Sequence, residues 1–324
     1  IAEKQGLKKK LFSSKFRDVQ SLLTENNNIP NPTKEIINDL LGCYRDGHFV
    51  LCEEMSRNII KEFPFNVIAW KVLGAILAST GRWTEAENIN RRVVSLSPID
   101  PEAYFNLGLN YQKLNNLKQA EENYRLSIEL RPNHARSFSH LGIISRNLEK
   151  FDEAELFLKK AIDLEPQLSE PYDNLGNLFN QLGRLDEAEL VYRKAIDLNP
   201  KNSFSYNNLS VTLKNLGRLD EAEASLKKAL ALDPDQADVY NNLGVVLLEM
   251  GRLDAAESNC KKALVLEPHH PPILNTLGVI HKQKGEFGEA EAFIKKALKI
   301  NPDYLEGLLN LSQILGLKNN LMNK

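Results

Sequence analysis

Apolar and small residues recur at helical spacing along this chain, and the arrangement itself returns every 34 residues. The stretch Asn174 to Pro200, NLGNLFNQLGRLDEAELVYRKAIDLNP, reads as two helices with a tight break at Gly183. Repeats begin at residues 33, 67, 101, 135, 169, 203, 237 and 271, so eight of them fill 33–304 without an insertion or deletion. A further half-repeat begins at Leu305. In the first half of a repeat, Tyr104, Leu107, Gly108 and Tyr111 share one face at i, i+3, i+4, i+7. In the second half, Leu185, Ala188, Tyr192 and Ala195 do the same. The eighth position is small (Gly74, Gly108, Gly142, Gly176, Ser210, Gly244, Gly278 and Ser312), and the twentieth is Ala from Ala86 to Ala290. These residues let two helix backbones approach closely. Position 32 is Pro in every repeat, from Pro64 to Pro302. Proline stops a helix because it lacks the N–H and restricts the residue before it. The pattern predicts an all-α fold in which each repeat buries its apolar face on its neighbours, an α-solenoid of about eight helix pairs plus a closing helix.

The motif resembles the tetratricopeptide repeat (TPR) family. The matching residues are the aromatic at the fourth position (Trp70, Tyr104, Phe138, Tyr172, Tyr206 and Tyr240), the Leu-Gly pairs, the alanine at the twentieth position and the closing proline. The resemblance covers 272 of 324 residues. It implies antiparallel helix pairs stacked into a right-handed superhelix whose first helices line the concave surface. The expected organisation is a basic N-terminal segment and linker (1–32), eight repeats (33–304, the first a degenerate cap) and a closing helix or truncated ninth repeat (305–324). In the N-terminal segment, Phe12, Phe16, Val19 and Leu23 can form one face of a basic amphipathic helix, and the alternative is a solvated tail.

Charge narrows the function. The formal net charge of −2 gives no basic footprint, so no nucleic acid is expected as a partner. Glu189/Arg193 and the equivalent pairs, such as Glu121/Arg125 and Glu257/Lys261, have the favourable i,i+4 order and read as a solvated face. Cys43, Cys52 and Cys260 form no C-x-x-C pair and fit a reducing compartment; Cys52 and Cys260 fall on core positions. No stretch is apolar for the roughly 18 residues that a membrane span needs. A cytoplasmic location follows as an expectation. The chain opens at Ile1, which points to processing or to a fragment.

No catalytic, phosphate-binding or dinucleotide motif is found, so the expectation is a chain with no enzyme activity of its own, no cofactor, no metal and no small-molecule substrate. His269-His270 lies in a turn without a spaced third ligand, His48 and His134 are turn residues, and His281 stands at a core position. The side of the first helix opposite its packed face carries positions 2, 6, 9 and 13. There Asn106, Asn174, Asn208, Asn242 and Asn310 repeat at the sixth position, Asn177 adds an amide at the ninth, and Leu109, Ile143, Val211, Val245 and Val279 form an apolar row. These asparagines are candidate peptide-binding residues, because an amide pairs with both the C=O and the N–H of a passing main chain; the competing reading is bonding within the array. The expected function is an interaction scaffold that holds a peptide segment of a partner protein in the concave groove. The alternative is the substrate-recognition region of a larger enzyme, since similar arrays precede O-linked N-acetylglucosamine transferase, sulfotransferase and oxygenase domains. Resemblance to the carboxylate clamp of chaperone-binding TPR proteins points to Lys71, Asn106 and Arg136, with Ala75 and His140 departing from the pattern.

Overall fold

The computed structural model describes residues 31–322, and the amphipathic segment around Phe12, Phe16, Val19 and Leu23 lies outside the described residues. Among the described residues all regular structure is helical. The chain divides into two compact bodies, one up to Glu165 and one from Pro166. The first holds four helix pairs: α1 (Lys34–Arg45) with α2 (Phe49–Glu62), α3 (Val67–Ser79) with α4 (Trp83–Leu96), α5 (Pro101–Lys113) with α6 (Leu117–Leu130), and α7 (Ala135–Asn147) with α8 (Phe151–Leu164). The second holds α9 (Ser169–Gln181) with α10 (Leu185–Leu198), α11 (Ser203–Asn215) with α12 (Leu219–Leu232), α13 (Ala237–Glu249) with α14 (Leu253–Leu266), α15 (Pro271–Gln283) with α16 (Phe287–Ile300), and the closing helix α17 (Leu305–Met322). Within each body, a second helix packs on its own first helix and on the first helix of the next repeat. The expected all-α solenoid of paired helices is the observed architecture.

The period sets the ends of the helices. At the end of α9, the Gly183 N–H donates to Asn180 O (3.1 Å) and the Arg184 N–H to Phe179 O (2.9 Å). This paired closure needs a left-handed residue, and Gly183 supplies it at φ +72°. Repeats three and four place Asn115 (φ 59°) and Glu149 (φ 58°) at the same point. The second helix stops before the proline; α10 ends at Leu198, ahead of Pro200.

The small eighth position makes room for a side chain as well as for the close backbone approach that the sequence suggests: a Cβ at Gly142, Gly244 or Gly278 would lie 3.2–3.3 Å from the carbonyl oxygen of the alanine at position 20. A Cβ added at Gly176 would lie 2.6 Å from the Tyr192 ring, and one at Gly108 would lie 2.8 Å from Tyr124. Leu158, Cys260 and Ile294 fill the same place against Gly142, Gly244 and Gly278. The first repeat reverses the sizes: Leu40 stands at the eighth position and Ser56 at the twenty-fourth, both fully buried. The reversal keeps the volume of the degenerate cap close to that of the regular repeats.

The charge pairs on the second helices join repeats together as well as facing solvent. Glu189, only 16% exposed, binds Arg193 one turn on (2.7 Å) and Arg218 of the following repeat (2.6 Å). Glu53 and Glu223 bridge in the same way to Arg82 and Arg252, and Glu257 and Glu291 bridge to Lys284 and Lys318, two positions earlier in the following repeat. Position 16 of repeat three is Asn116, which offers Glu87 no cation.

Helical spacing places Leu308, Leu311, Ser312 and Leu315 on one expected apolar face of the closing helix, and the structure departs from it. Leu308 and Leu315 are exposed, and so is Ser312, whereas Ile314 is buried on Ala290 and Ile294 with Leu311 beside it. Ile314 points toward the preceding repeat. Leu308, Ser312 and Leu315 occupy positions that in other repeats pack on a second helix, and α17 has none among the described residues.

Candidate functional site

The side chains opposite the packed face are best followed in the second body. On α11, Phe204, Asn208, Val211 and Asn215 lie four, three and four residues apart, which aligns them on one face. Phe204 is 64% exposed. Asn208 and Val211 are half-buried, and the Asn208 side chain makes no hydrogen bond among the described residues. Sequence reading singled out Asn208 and Val211 but missed Phe204, because an aromatic at the second position has no counterpart in the neighbouring repeats.

The asparagine row is put to several uses. Asn242 Nδ2 donates to Asn207 Oδ1 (2.9 Å), and Asn310 Nδ2 donates to Asn275 Oδ1 (3.0 Å), each reaching position five of the preceding repeat. Asn177 Oδ1 accepts the hydroxyl of fully buried Tyr192 (2.7 Å), so this amide supports the core. Asn174 is half-buried. In repeat eight the sixth position is Thr276, whose hydroxyl turns back to Pro272 O (3.0 Å), and Asn241 Oδ1 is left buried without a partner. Asp173, at position five of repeat five, accepts from Ser205 Oγ (2.8 Å) and Asn202 Nδ2 (3.1 Å) through one oxygen, while its other oxygen is buried and unpartnered. Burial raises the Asp173 carboxyl to about 6.

In the first body, Asn106 is half-buried and Arg136 exposed. Lys71 pairs with Asp100, the cap of α5. His140 stacks on Tyr124 with ring centroids 5.3 Å apart and bonds Gln112 through Nδ1 (3.0 Å). Burial pushes its pKa down to about 4, so it brings no positive charge at neutral pH. Of the clamp residues, Lys71 is already neutralised by a partner inside the array.

Residues 134–323 match the family model described as the cilia and flagella-associated protein 70 C-terminal domain, and residues 101–134 match the tetratricopeptide repeat model. The chain belongs to this tetratricopeptide-repeat family. No curated protein sequence matches it. Among solved structures, a chain of the APC/C hetero-tetramer Cut9–Hcn1 aligns with TM-score 0.69 and 19% identity over 92% of this chain, which spans only 59% of that one. A tetratricopeptide repeat protein from Parabacteroides merdae aligns with TM-score 0.61 and 20% identity, covering 76% of this chain and 98% of that one. Pseudomonas aeruginosa pilF gives 0.57 and 20% over 66% of this chain and 97% of its own. At these identities the likeness is one of fold. Tetratricopeptide-repeat arrays serve in general as scaffolds for protein interaction. Among the described residues no helix is long and apolar enough to cross a membrane.

Away from the open face, the TPR array holds groups that the sequence treats as inert. Cys260 is fully buried, and burial pushes its thiol up to about 12, which fits a core residue. His134 is buried, with Nε2 3.1 Å from Glu102 Oε1 and Nδ1 2.6 Å from Ser137 Oγ, so this turn residue ties two repeats together. His281 is also buried as expected, but its Nδ1 lies 2.5 Å from Glu286 and 3.1 Å from Glu289.

Proposed function

We propose that this TPR protein holds an extended segment of a partner protein along the open face of its first helices, with α11 as the central contact. The observation that carries the reading is the pairing of exposed Phe204 with Asn208, one turn away on the same face and without a partner inside the array. An aromatic anchor beside an unpaired amide and a half-buried valine supplies apolar area and main-chain hydrogen bonding together. Asn242 and Asn310 retain further donor and acceptor capacity beyond the one N–H each uses. Main-chain bonding reads little side-chain identity, so recognition is expected to tolerate varied sequences and to depend on the Phe204 contact for strength.

The test uses a peptide selected from a random library for binding to the whole chain. Asn208→Ala should weaken that peptide by roughly 2- to 10-fold, the range for one net hydrogen bond. Phe204→Ala should weaken it by about 30-fold or more, as aromatic anchors do. Both variants should melt with the parent, because neither side chain supports the fold. Parental affinity in both variants would move the binding face elsewhere, and a large fall in melting temperature would make these residues structural.

A further inference from the structure

We infer a divalent-metal site of the zinc type in repeat eight, formed by His281, Glu286 and Glu289. The three ligand atoms, one imidazole nitrogen and two carboxylate oxygens, lie within 4.8 Å of one another. His281 ends the packed face of α15, Glu286 caps α16, and Glu289 stands in its first turn. The helix–turn–helix geometry therefore brings together residues at i, i+5 and i+8, a spacing that no linear metal motif would show.

Proton bookkeeping favours a cation over a hydrogen bond alone. One ring proton on Nδ1 can be given to one carboxylate at a time, and the second then has only the N-terminal end of α16 to offset its charge. A divalent ion satisfies both carboxylates and the Nδ1 lone pair. His281 is only 5% exposed, and its Nε2 has no hydrogen-bond partner; the facing carboxylate oxygen belongs to Glu257, 3.9 Å away. A metal-bound histidine carries its remaining proton on the far nitrogen; here that nitrogen is buried, and Glu257, bridged to Lys261 and Lys284, lies beyond hydrogen-bond distance. Phe293 stacks on the imidazole at 5.1 Å and 15°, which fixes the ring plane. Glu286 and Glu289 are solvent-exposed and free to adjust to bonds of about 2.0–2.2 Å, with water completing a four-coordinate shell. The mixed nitrogen and oxygen set selects zinc-like ions over magnesium and calcium, which prefer oxygen alone.

Titrating the full chain with zinc in chelator-free buffer tests the site by calorimetry. The expected result is one saturable site that a large excess of magnesium does not displace, with a rise in melting temperature on zinc addition. Glu286→Gln with Glu289→Gln should lower the affinity at least tenfold and abolish the zinc-dependent rise, while melting in EDTA matches the parent. His269→Ala with His270→Ala should bind as the parent does. Absence of saturable binding by the parent would overturn the assignment, as would unchanged affinity in the glutamine variant, displacement by magnesium, or loss of binding in the His269/His270 variant.

Discussion

Tyr192 occupies the space that a side chain on Gly176 would need. Its ring lies where a Cβ at residue 176 would come within 2.6 Å, and its hydroxyl donates to Asn177 Oδ1 at 2.7 Å. The ring is fully buried, so it has no open direction in which to yield. Gly176→Ala should therefore destabilise the protein by about 1–3 kcal/mol, the usual cost of overpacking, even though alanine favours helix. Urea denaturation followed by circular dichroism measures this, and a stability equal to the parent would show that the ring can move aside.

Repeat eight lacks a bond that its neighbours make. Asn242 and Asn310 each reach an asparagine in the preceding repeat, but Thr276 leaves Asn241 Oδ1 buried and unpaired. Thr276→Asn should supply the missing donor and raise stability by about 1 kcal/mol. Asn242→Ala should cost a similar amount by removing the donor to Asn207. Thermal melts of the two variants should move in opposite directions.

Glu149 holds a left-handed backbone at φ 58°, at a turn where six of the eight repeats use glycine. The conformation costs a side-chain-bearing residue roughly 1–2 kcal/mol, and part of that gain is returned by the greater freedom of glycine in the unfolded chain. Glu149→Gly should stabilise by about 0.5–1 kcal/mol. Asn115→Gly should gain less, because asparagine tolerates this region. Calorimetric melting points rank the two.

Two groups of carboxyls pull the pH profile in opposite directions. Asp173 is raised from 3.8 to about 6 by burial, so the folded state binds its proton more tightly than the unfolded chain does. Its contribution is most favourable below 3.8 and is lost as pH rises toward 6, leaving a penalty at neutral pH. Asp173→Asn should flatten that window and raise stability at pH 7 by about 1–2 kcal/mol after allowance for solvent screening. Lys261 and Lys284 hold Glu257 down at about 2, so its contribution is present above 4.5 and lost as pH falls toward 2. Denaturation midpoints between pH 3 and 7.5 should resolve both slopes, with only the upper one missing from the variant.

The helix pairs were legible in the sequence because every determinant is local: apolar spacing, a left-handed turn residue and a proline, each repeated in frame. What escaped depends on contacts between neighbouring repeats. The i,i+4 spacing of Glu189 and Arg193 is visible in one line of sequence, but the reach of Arg218 back to Glu189 is not. The asparagine row was visible as a row. Its division between array bonds at Asn242 and an open amide at Asn208 depends on what stands at position five of the repeat before. Phe204 and the His281 cluster escaped for a related reason, since each is particular to one repeat and a reading built on periodicity attends to what recurs.

The glutamate bridges also constrain how such a chain can change length. The arginine bridges Glu53–Arg82, Glu189–Arg218 and Glu223–Arg252 run from position 21 of one repeat to position 16 of the next, and the lysine bridges Glu257–Lys284 and Glu291–Lys318 run to position 14. Excising residues 203–236 would set Glu189 opposite Arg252 and restore a bridge of the same kind. Removing a number of residues that is not a multiple of 34 would break the register of charge, glycine and ring together. The array can thus grow or shrink in whole steps of 34 residues and in no smaller increment. Any ligand lying along it would be measured against a ruler with one fixed graduation.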